Sequence, residues 1–424
     1  MKIHFFVGFL LSLLFLFGLC KVPTKGITPP DPAQIPELVI FPFHTKMIDT
    51  SWEMPALPPI RVGAAQLEHY QAQIHGKRLG LVVNQSSLID QTHLVDSLLR
   101  LGMDIRVLFA PEHGFRGDED AGATVADGVD SQTGLPVISL YGKTKKPSPA
   151  DLQNLDMVIF DIQDVGARFF TYLSTLHYVM EACAENNIPL LLLDRPNPNA
   201  HYIDGPVLKP GFSSFVGMHP VPVVYGMTIG EYAQMINGEG WLKRGIQCKL
   251  EVIPLAWYNH DRPYELPVRP SPNLPNQRAI YLYPSLCFFE GTEINAGRGT
   301  GIPFQCYGAP ALLQGTFHYI PLPNPGARYP KHQGKECVGT DLSDLALPDL
   351  FAQQQLNLSY LLNAYTFYAS ADAFFLSTGF FDLLAGTDQL RLQIRRGAGE
   401  AEIRSSWQAD LDNFKAIRKR YLLY

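Results

Sequence analysis

Five times between residues 79 and 197, a short apolar run ends in polar side chains able to bind a ligand or move a proton. These ends are Asn84-Gln-Ser-Ser87, Pro111-Glu-His-Gly-Phe-Arg116, Tyr141-Gly142, Asp161-Ile-Gln-Asp-Val-Gly-Ala-Arg168 and Asp194-Arg-Pro-Asn197. Glu112 is the leading candidate for acid chemistry. Pro111 fixes the chain before it, and Gly114 permits a sharp turn after it. A carboxyl held against apolar walls keeps its proton to higher pH, as a general acid near neutrality requires. His113 either contacts a ligand or serves as a hydrogen-bonded structural histidine. Asp161 and Asp164 suit the binding of hydroxyl groups, the role of a base, or the capping of the segment that follows. Arg168 offers a planar fork for a carboxylate, or pairs with one of those aspartates.

Such ends converge only if the apolar runs are strands of one parallel sheet, where ligands sit beyond the carboxyl ends. The runs at 79–84, 105–110, 137–141, 157–161 and 189–194 are continuous rather than alternating, as expected for strands covered on both faces. Helices are expected near 92–101, from Ser148 and over 171–186, and Thr228-Ile-Gly-Glu231 is a capping box opening another. The expected fold is α/β: a Rossmann-like, doubly wound parallel sheet domain over residues 61–262, then a smaller α+β domain over 263–424. The prolines of 263–284 suggest an irregular linker or cleft wall. Near the end, Ile403, Trp407, Leu411, Phe414 and Ile417 mark one stripe of a helix over 400–420. Glycines 297, 299 and 301 allow close backbone approach to a ligand, with Arg298 between them.

The 424 residues carry a net charge of −6, with 46% hydrophobic and 17% charged residues. That suits a large buried core and disfavours nucleic acid as a partner, since phosphate binding needs basic stripes. Lys2 followed by an apolar run over 5–19 has the order of a secretory signal within residues 1–20 and is short for a membrane span. It implies an exported, periplasmic protein. Cys20 is a candidate lipidation site, the one expected route to the membrane, and residues 21–60 read as a proline-rich tether. The five later cysteines match neither a zinc pattern nor a disulfide framework, though one bridge remains open. G-x-G-x-x-G, G-x-x-x-x-G-K-[ST], G-x-S-x-G and H-E-x-x-H are all missing, so neither a cofactor nor a metal is expected. What remains is carboxylate chemistry, with arginines and amides for binding.

Several of these stretches together resemble one family. They are Phe109-Ala-Pro-Glu-His-Gly-Phe-Arg-Gly117, Thr133-Gly-Leu-Pro-Val137, Phe160-Asp-Ile-Gln-Asp-Val-Gly-Ala-Arg168, Leu193-Asp-Arg-Pro-Asn-Pro198, Glu290-Gly-Thr, Gly297-Arg-Gly-Thr300 and the terminal Tyr421-Leu-Leu-Tyr424. The resemblance, from about residue 65 to the end, is to the bacterial exo-β-N-acetylmuramidases, glycoside hydrolases long catalogued only as a domain of unknown function. It implies an active site between the two domains, release of terminal N-acetylmuramic acid from peptidoglycan fragments, and Glu112 as the catalytic glutamate. Glu293 departs from the asparagine expected after Glu290-Gly-Thr.

The resulting expectation is glycosidic hydrolysis with Glu112 as acid. The second group is open between Glu290, Glu119, Asp161 and the substrate's own acetamido group. Asn84, Gln163, Tyr172 and Asn273 would hold sugar hydroxyls, with His113 and Asp164 near them. Arg116, Arg168 and Arg298 are the candidates to meet the lactyl carboxylate that distinguishes N-acetylmuramic acid from N-acetylglucosamine. The alternatives are a non-catalytic muropeptide-binding protein, a metal-dependent hydrolase and a nicotinamide-assisted glycosidase in the same cleft.

Overall fold

The computed structural model describes residues 57–112, 114–115 and 127–424. The expected signal, Cys20 and most of the tether lie outside the described residues, as do His113, Arg116 and Glu119.

The chain begins with α1 (Leu67–Ile74), β1 (Arg78–Val83), a hairpin of β2 (Leu88–Ile89) and β3 (Thr92–His93), α2 (Leu94–Arg100) and β4 (Asp104–Ala110). It continues through β5 (Gly128–Val129), β6 (Pro136–Ser139), α3 (Pro149–Leu152), β7 (Met157–Asp161), α4 (Tyr172–Glu185), β8 (Leu190–Leu193), α5 (Ile229–Gly238) and β9 (Leu250–Ile253). The sheet order is β5-β6-β4-β1-β7-β8-β9, parallel throughout except for the β5–β6 pair. Numbered along the chain, the six parallel strands run 3-2-1-4-5-6, the Rossmann-like order, and reverse between β1 and β7.

The continuous apolar runs are explained by two cores. Along β7 and β8, Met157, Ile159, Leu191 and Leu193 face one core with α1 and α2, while Val158, Phe160, Leu190 and Leu192 face the other with α4 and α5. That second core runs on without a break into the C-terminal domain through Phe288, Phe289, Phe374, Phe381 and Trp407.

The smaller C-terminal domain holds α6 (Gln277–Leu286), β10 (Cys306–Ala309), β11 (Phe317–Tyr319), β12 (Cys337–Asp341), α7 (Leu347–Ala352), α8 (Ser359–Thr366), α9 (Phe380–Ala385), α10 (Gln389–Arg395) and α11 (Glu400–Arg418). Its three strands form an antiparallel sheet, β10-β12-β11. On α11 the expected stripe is buried at Ile403, Trp407, Leu411 and Phe414. The chain end then returns to the first domain: Arg418 Nε donates to the Gly226 carbonyl (2.8 Å) and Tyr424 Oη to Asp194 Oδ2 (2.7 Å).

Some expectations need correction. The helix expected from residue 92 starts at Leu94, because Thr92 and His93 pair with β2, and His93 Nδ1 then caps it by accepting the Val95 N–H (3.2 Å). The edge strand β9 and helix α1 are additions. β9 exposes Glu251, and α1 buries only Tyr70 and Ile74, so neither carries a strong apolar signal. The proline-rich 263–284 stretch ends in a true helix, α6, with Pro284 inside it. Pro284 cannot donate to the Ile280 carbonyl, and the buried Asn199 Nδ2 does so instead (3.2 Å). Cys183, Cys248, Cys287, Cys306 and Cys337 are all buried free thiols.

Candidate active site

A cavity of about 260 Å³ opens beyond the carboxyl ends of β4, β6 and β7 and is closed on its other side by the C-terminal domain. Glu112, Tyr141, Thr171, Phe215 and Val216 line it from the first domain; Ser271, Asn273 and Leu274 from the connection; Tyr283, Glu290, Arg298, Phe304, Phe380 and Leu384 from the second.

Glu112 follows β4 directly, in a turn closed by the Gly114 N–H on the Pro111 carbonyl (3.0 Å), with Gly114 at φ 76° where a side chain would be strained. Thr171 stands at the N-cap of α4, yet its hydroxyl makes no cap bond; it donates instead to Glu112 Oε2 (2.7 Å). Tyr141 also hydrogen-bonds the Glu112 side chain. Burial first, and then that carboxylate, raise the Tyr141 hydroxyl's proton affinity, so it stays a neutral donor. Two hydroxyls therefore fix the rotamer of Glu112.

Across the cavity, Arg298 Nη1 meets Glu290 Oε2 at 3.2 Å and Nη2 donates to the Gly326 carbonyl (3.2 Å). Both side chains of this pair are about one quarter exposed, at 23% and 25%. Lys331 braces the loop beneath them, its ammonium donating to the carbonyls of Phe289 (3.0 Å), Ile294 (2.9 Å) and Thr292. Burial lowers the proton affinity of Lys331, against the pull of Glu290 and Glu293. Asn295 Nδ2 bridges the carbonyls of Arg298 (3.1 Å) and Lys331 (2.9 Å), tying the two glycine-bounded loops together. Asn273 Nδ2 donates to Gly326 O at 2.7 Å. Tyr283 lies near both carboxyls, and burial above all pushes its hydroxyl far up.

The structure thus brings together Glu112, Glu290, Asn273 and Arg298. Asn84 and Tyr172 stand just behind the wall: Asn84 Nδ2 donates to Tyr172 Oη (3.0 Å), which donates to the Pro270 carbonyl (3.3 Å), pinning the segment that carries Ser271 and Asn273.

The other candidates are spent inside the fold. Asp161 is fully buried in a two-point pair with Arg195, at 2.5 and 2.8 Å. Gln163 donates to the carbonyls of Asp164 (2.8 Å) and Pro196 (2.6 Å). Asp164 accepts from the Gly166 N–H (2.7 Å) and the Tyr225 hydroxyl, and burial pushes it up to about 6. Among the described residues Arg168 holds no carboxylate. It donates to the carbonyls of Pro206 (2.9 Å), Val221 (2.6 Å) and Leu384 (2.9 Å), fastening the wall behind Val216 and Leu384, and burial pushes it down to about 9. Glu293 is not among the cavity-lining residues.

Tyr141 is legible in the sequence as a polar strand end, a usable signal, though not as the partner of Glu112. Among the residues that sequence reasoning missed, Thr171, Ser271 and Lys331 carried none, and neither did the apolar walls Phe215 and Phe380.

A Rossmann-like sheet with a cavity at its carboxyl rim, roofed by a smaller domain and lined by Glu112 and Glu290, makes this a two-domain α/β protein with its candidate site between the domains. The chain belongs to the exo-β-N-acetylmuramidase NamZ family, a family of glycoside hydrolases: the N-terminal model of that family matches residues 79–278 and the C-terminal model residues 281–424. It is 40% identical over 386 residues to the peptidoglycan β-N-acetylmuramidase NamZ of Bacillus subtilis (strain 168), across 87% of this chain and 92% of the relative. A DUF1343 family protein of Bacteroides fragilis NCTC 9343 superposes with a TM-score of 0.81 at 44% identity, covering 87% of this chain and 99% of the other. A second DUF1343 protein from that organism gives 0.69 at 30% identity, covering 87% and 100%.

Proposed function

We propose that this protein is an exported exo-glycosidase that removes terminal β-linked N-acetylmuramic acid from the non-reducing ends of peptidoglycan fragments. Glu112 is the general acid that protonates the leaving oxygen, and Glu290 is the second carboxyl of the site. The observation that carries this is the shared cavity: Glu112 and Glu290 open onto one space whose size suits a single sugar rather than a long chain. Family membership supports the substrate class, and a cavity of single-sugar size supports the exo mode.

Arg298 binds the lactyl carboxylate. Glu290 and Gly326 occupy two of its five N–H donors, and among the described residues the rest have no partner and can take a ligand. Of the three arginines considered for this role, Arg168 is committed to carbonyls. The basic start and apolar run at the N-terminus support export, and Cys20 is the proposed point of lipid attachment.

The test is product analysis. Peptidoglycan glycan fragments incubated with the protein should yield free N-acetylmuramic acid one residue at a time from the non-reducing end. Internal cleavage, or release of N-acetylglucosamine at a comparable rate, would overturn the assignment.

A further inference from the structure

The cavity takes one sugar, so the departing part of the chain must lie outside it, on the side of the group that protonates the leaving oxygen. Under the function proposed above, on which this inference rests, that group is Glu112 and the side is its own rim. There Tyr141, which hydrogen-bonds Glu112, lies 5.9 Å from the ring of Phe215, and Tyr178 stacks on Phe215 at 6.4 Å. Lys145 follows β6 in the same loop as Tyr141 and holds its ammonium 4.3 Å from the centroid of the Phe215 ring. Its neighbour Lys146 is taken up by Glu181 and Glu185, both at 2.6 Å. Among the described residues Lys145 has no carboxylate partner, and Lys143 stands exposed in the same turn. A half-exposed cation over an aromatic ledge, in a chain of net charge −6, is the chemistry that receives a sugar face carrying a negative group.

We propose that Lys145, with Phe215 and Tyr141, forms a leaving-group subsite that binds a carboxylate carried by the departing glycan, such as that of its next muramoyl residue. The subsite selects anionic chains over neutral aglycones and leaves bond breaking itself untouched.

Three substrates test this: an aryl N-acetylmuramide, a peptidoglycan tetrasaccharide with a free carboxylate on its internal muramoyl residue, and the same tetrasaccharide with that carboxyl converted to an amide. For Lys145→Met, KM on the carboxylate tetrasaccharide should rise roughly three- to fivefold, as for an exposed charge pair. Lys145→Glu should raise it about tenfold through repulsion, and the effect should vanish at about 1 M salt. Both variants should stay within about twofold of the parent on the aryl and amide substrates, since neither offers a charge to pair. Unchanged kinetics on the carboxylate substrate, or an equal loss on all three, overturns the subsite. If the parent hydrolyses none of them, the muramidase assignment falls, and direct titration with the carboxylate tetrasaccharide decides the subsite: weaker binding by Lys145→Glu sustains it, and equal binding overturns it.

Discussion

Two crevices lie along the same rim of the sheet, built from the same kinds of residues and put to opposite uses. Where strand order reverses, between β1 and β7, a Rossmann-like sheet ordinarily receives its ligand. Here that place is filled from within: Asp161 is locked to Arg195, Ser87 donates to the Asp161 carbonyl, and Asn84 is fully buried. Beyond β4 and β6 the rim stays open, and Glu112 and Tyr141 face a cavity whose far wall is another domain. A polar residue at a strand's carboxyl end is thus placed for function but not committed to it. Its partner decides. Asp161 meets Arg195, brought in by the next strand, whereas Glu112 takes hydrogen bonds from the hydroxyls of Thr171 and Tyr141 at the edge of an open cavity.

The sharpest way to break this contrast is to remove the ionisable group on each side. Glu112→Gln should lower kcat on glycan fragments by roughly 10²- to 10⁴-fold, the usual worth of a general acid. Its unfolding free energy in urea should stay within about 1 kcal/mol of the parent, as expected at a half-buried, uncharged replacement. Asp161→Asn should do the reverse: it strands a buried guanidinium and should cost about 3–5 kcal/mol in the same urea titration. Should Asp161→Asn instead abolish turnover in a protein of parental stability, the closed crevice would have to be counted as part of the site.

A smaller effect separates the two arginines. Arg298→Met should raise KM for an N-acetylmuramide by roughly tenfold or more through loss of a charged hydrogen bond, and should spare any residual N-acetylglucosaminide cleavage. Equal loss on both sugars would remove Arg298 from the lactyl group.

The smallest effect concerns Asp164. Burial raises its folded-state value to about 6, against about 3.8 when exposed, so the native protein holds a proton that the unfolded chain releases. The stability this contributes is complete below about pH 4 and is lost as pH rises through about 6. Asp164→Asn imitates the protonated acid. The parent should therefore lose roughly 1–3 kcal/mol relative to the variant between pH 4.5 and 7, read from urea midpoints. A gap independent of pH would show that Asp164 is ionised throughout.

Much of this was legible in the residues. The strand ends of β1, β4, β7 and β8 follow from continuous apolar runs, and Glu112 follows from its place between Pro111 and Gly114. Asp161, Asp164 and Arg168 show where legibility stops. Their spacing puts them at the rim, but burial and pairing come from Arg195, Tyr225 and the carbonyls of 206, 221 and 384, separated from them by 34 to more than 200 residues. Thr171 reads as an ordinary helix cap, and only the approach of β4 turns its hydroxyl toward Glu112. The cavity's apolar walls are invisible for a simpler reason: Phe215 and Phe380 look like any core residue until two domains leave a space between them.

The central claim is that the carboxyl at 112 delivers a proton to the leaving oxygen. The direct measurement is the leaving-group dependence of kcat for the parent and Glu112→Gln. A dinitrophenyl N-acetylmuramide departs as a stable anion and needs no proton, whereas a sugar does. The account predicts that Glu112→Gln retains most of its activity on the dinitrophenyl substrate and loses at least about 10²-fold on the glycan. Equal losses on both would contradict it.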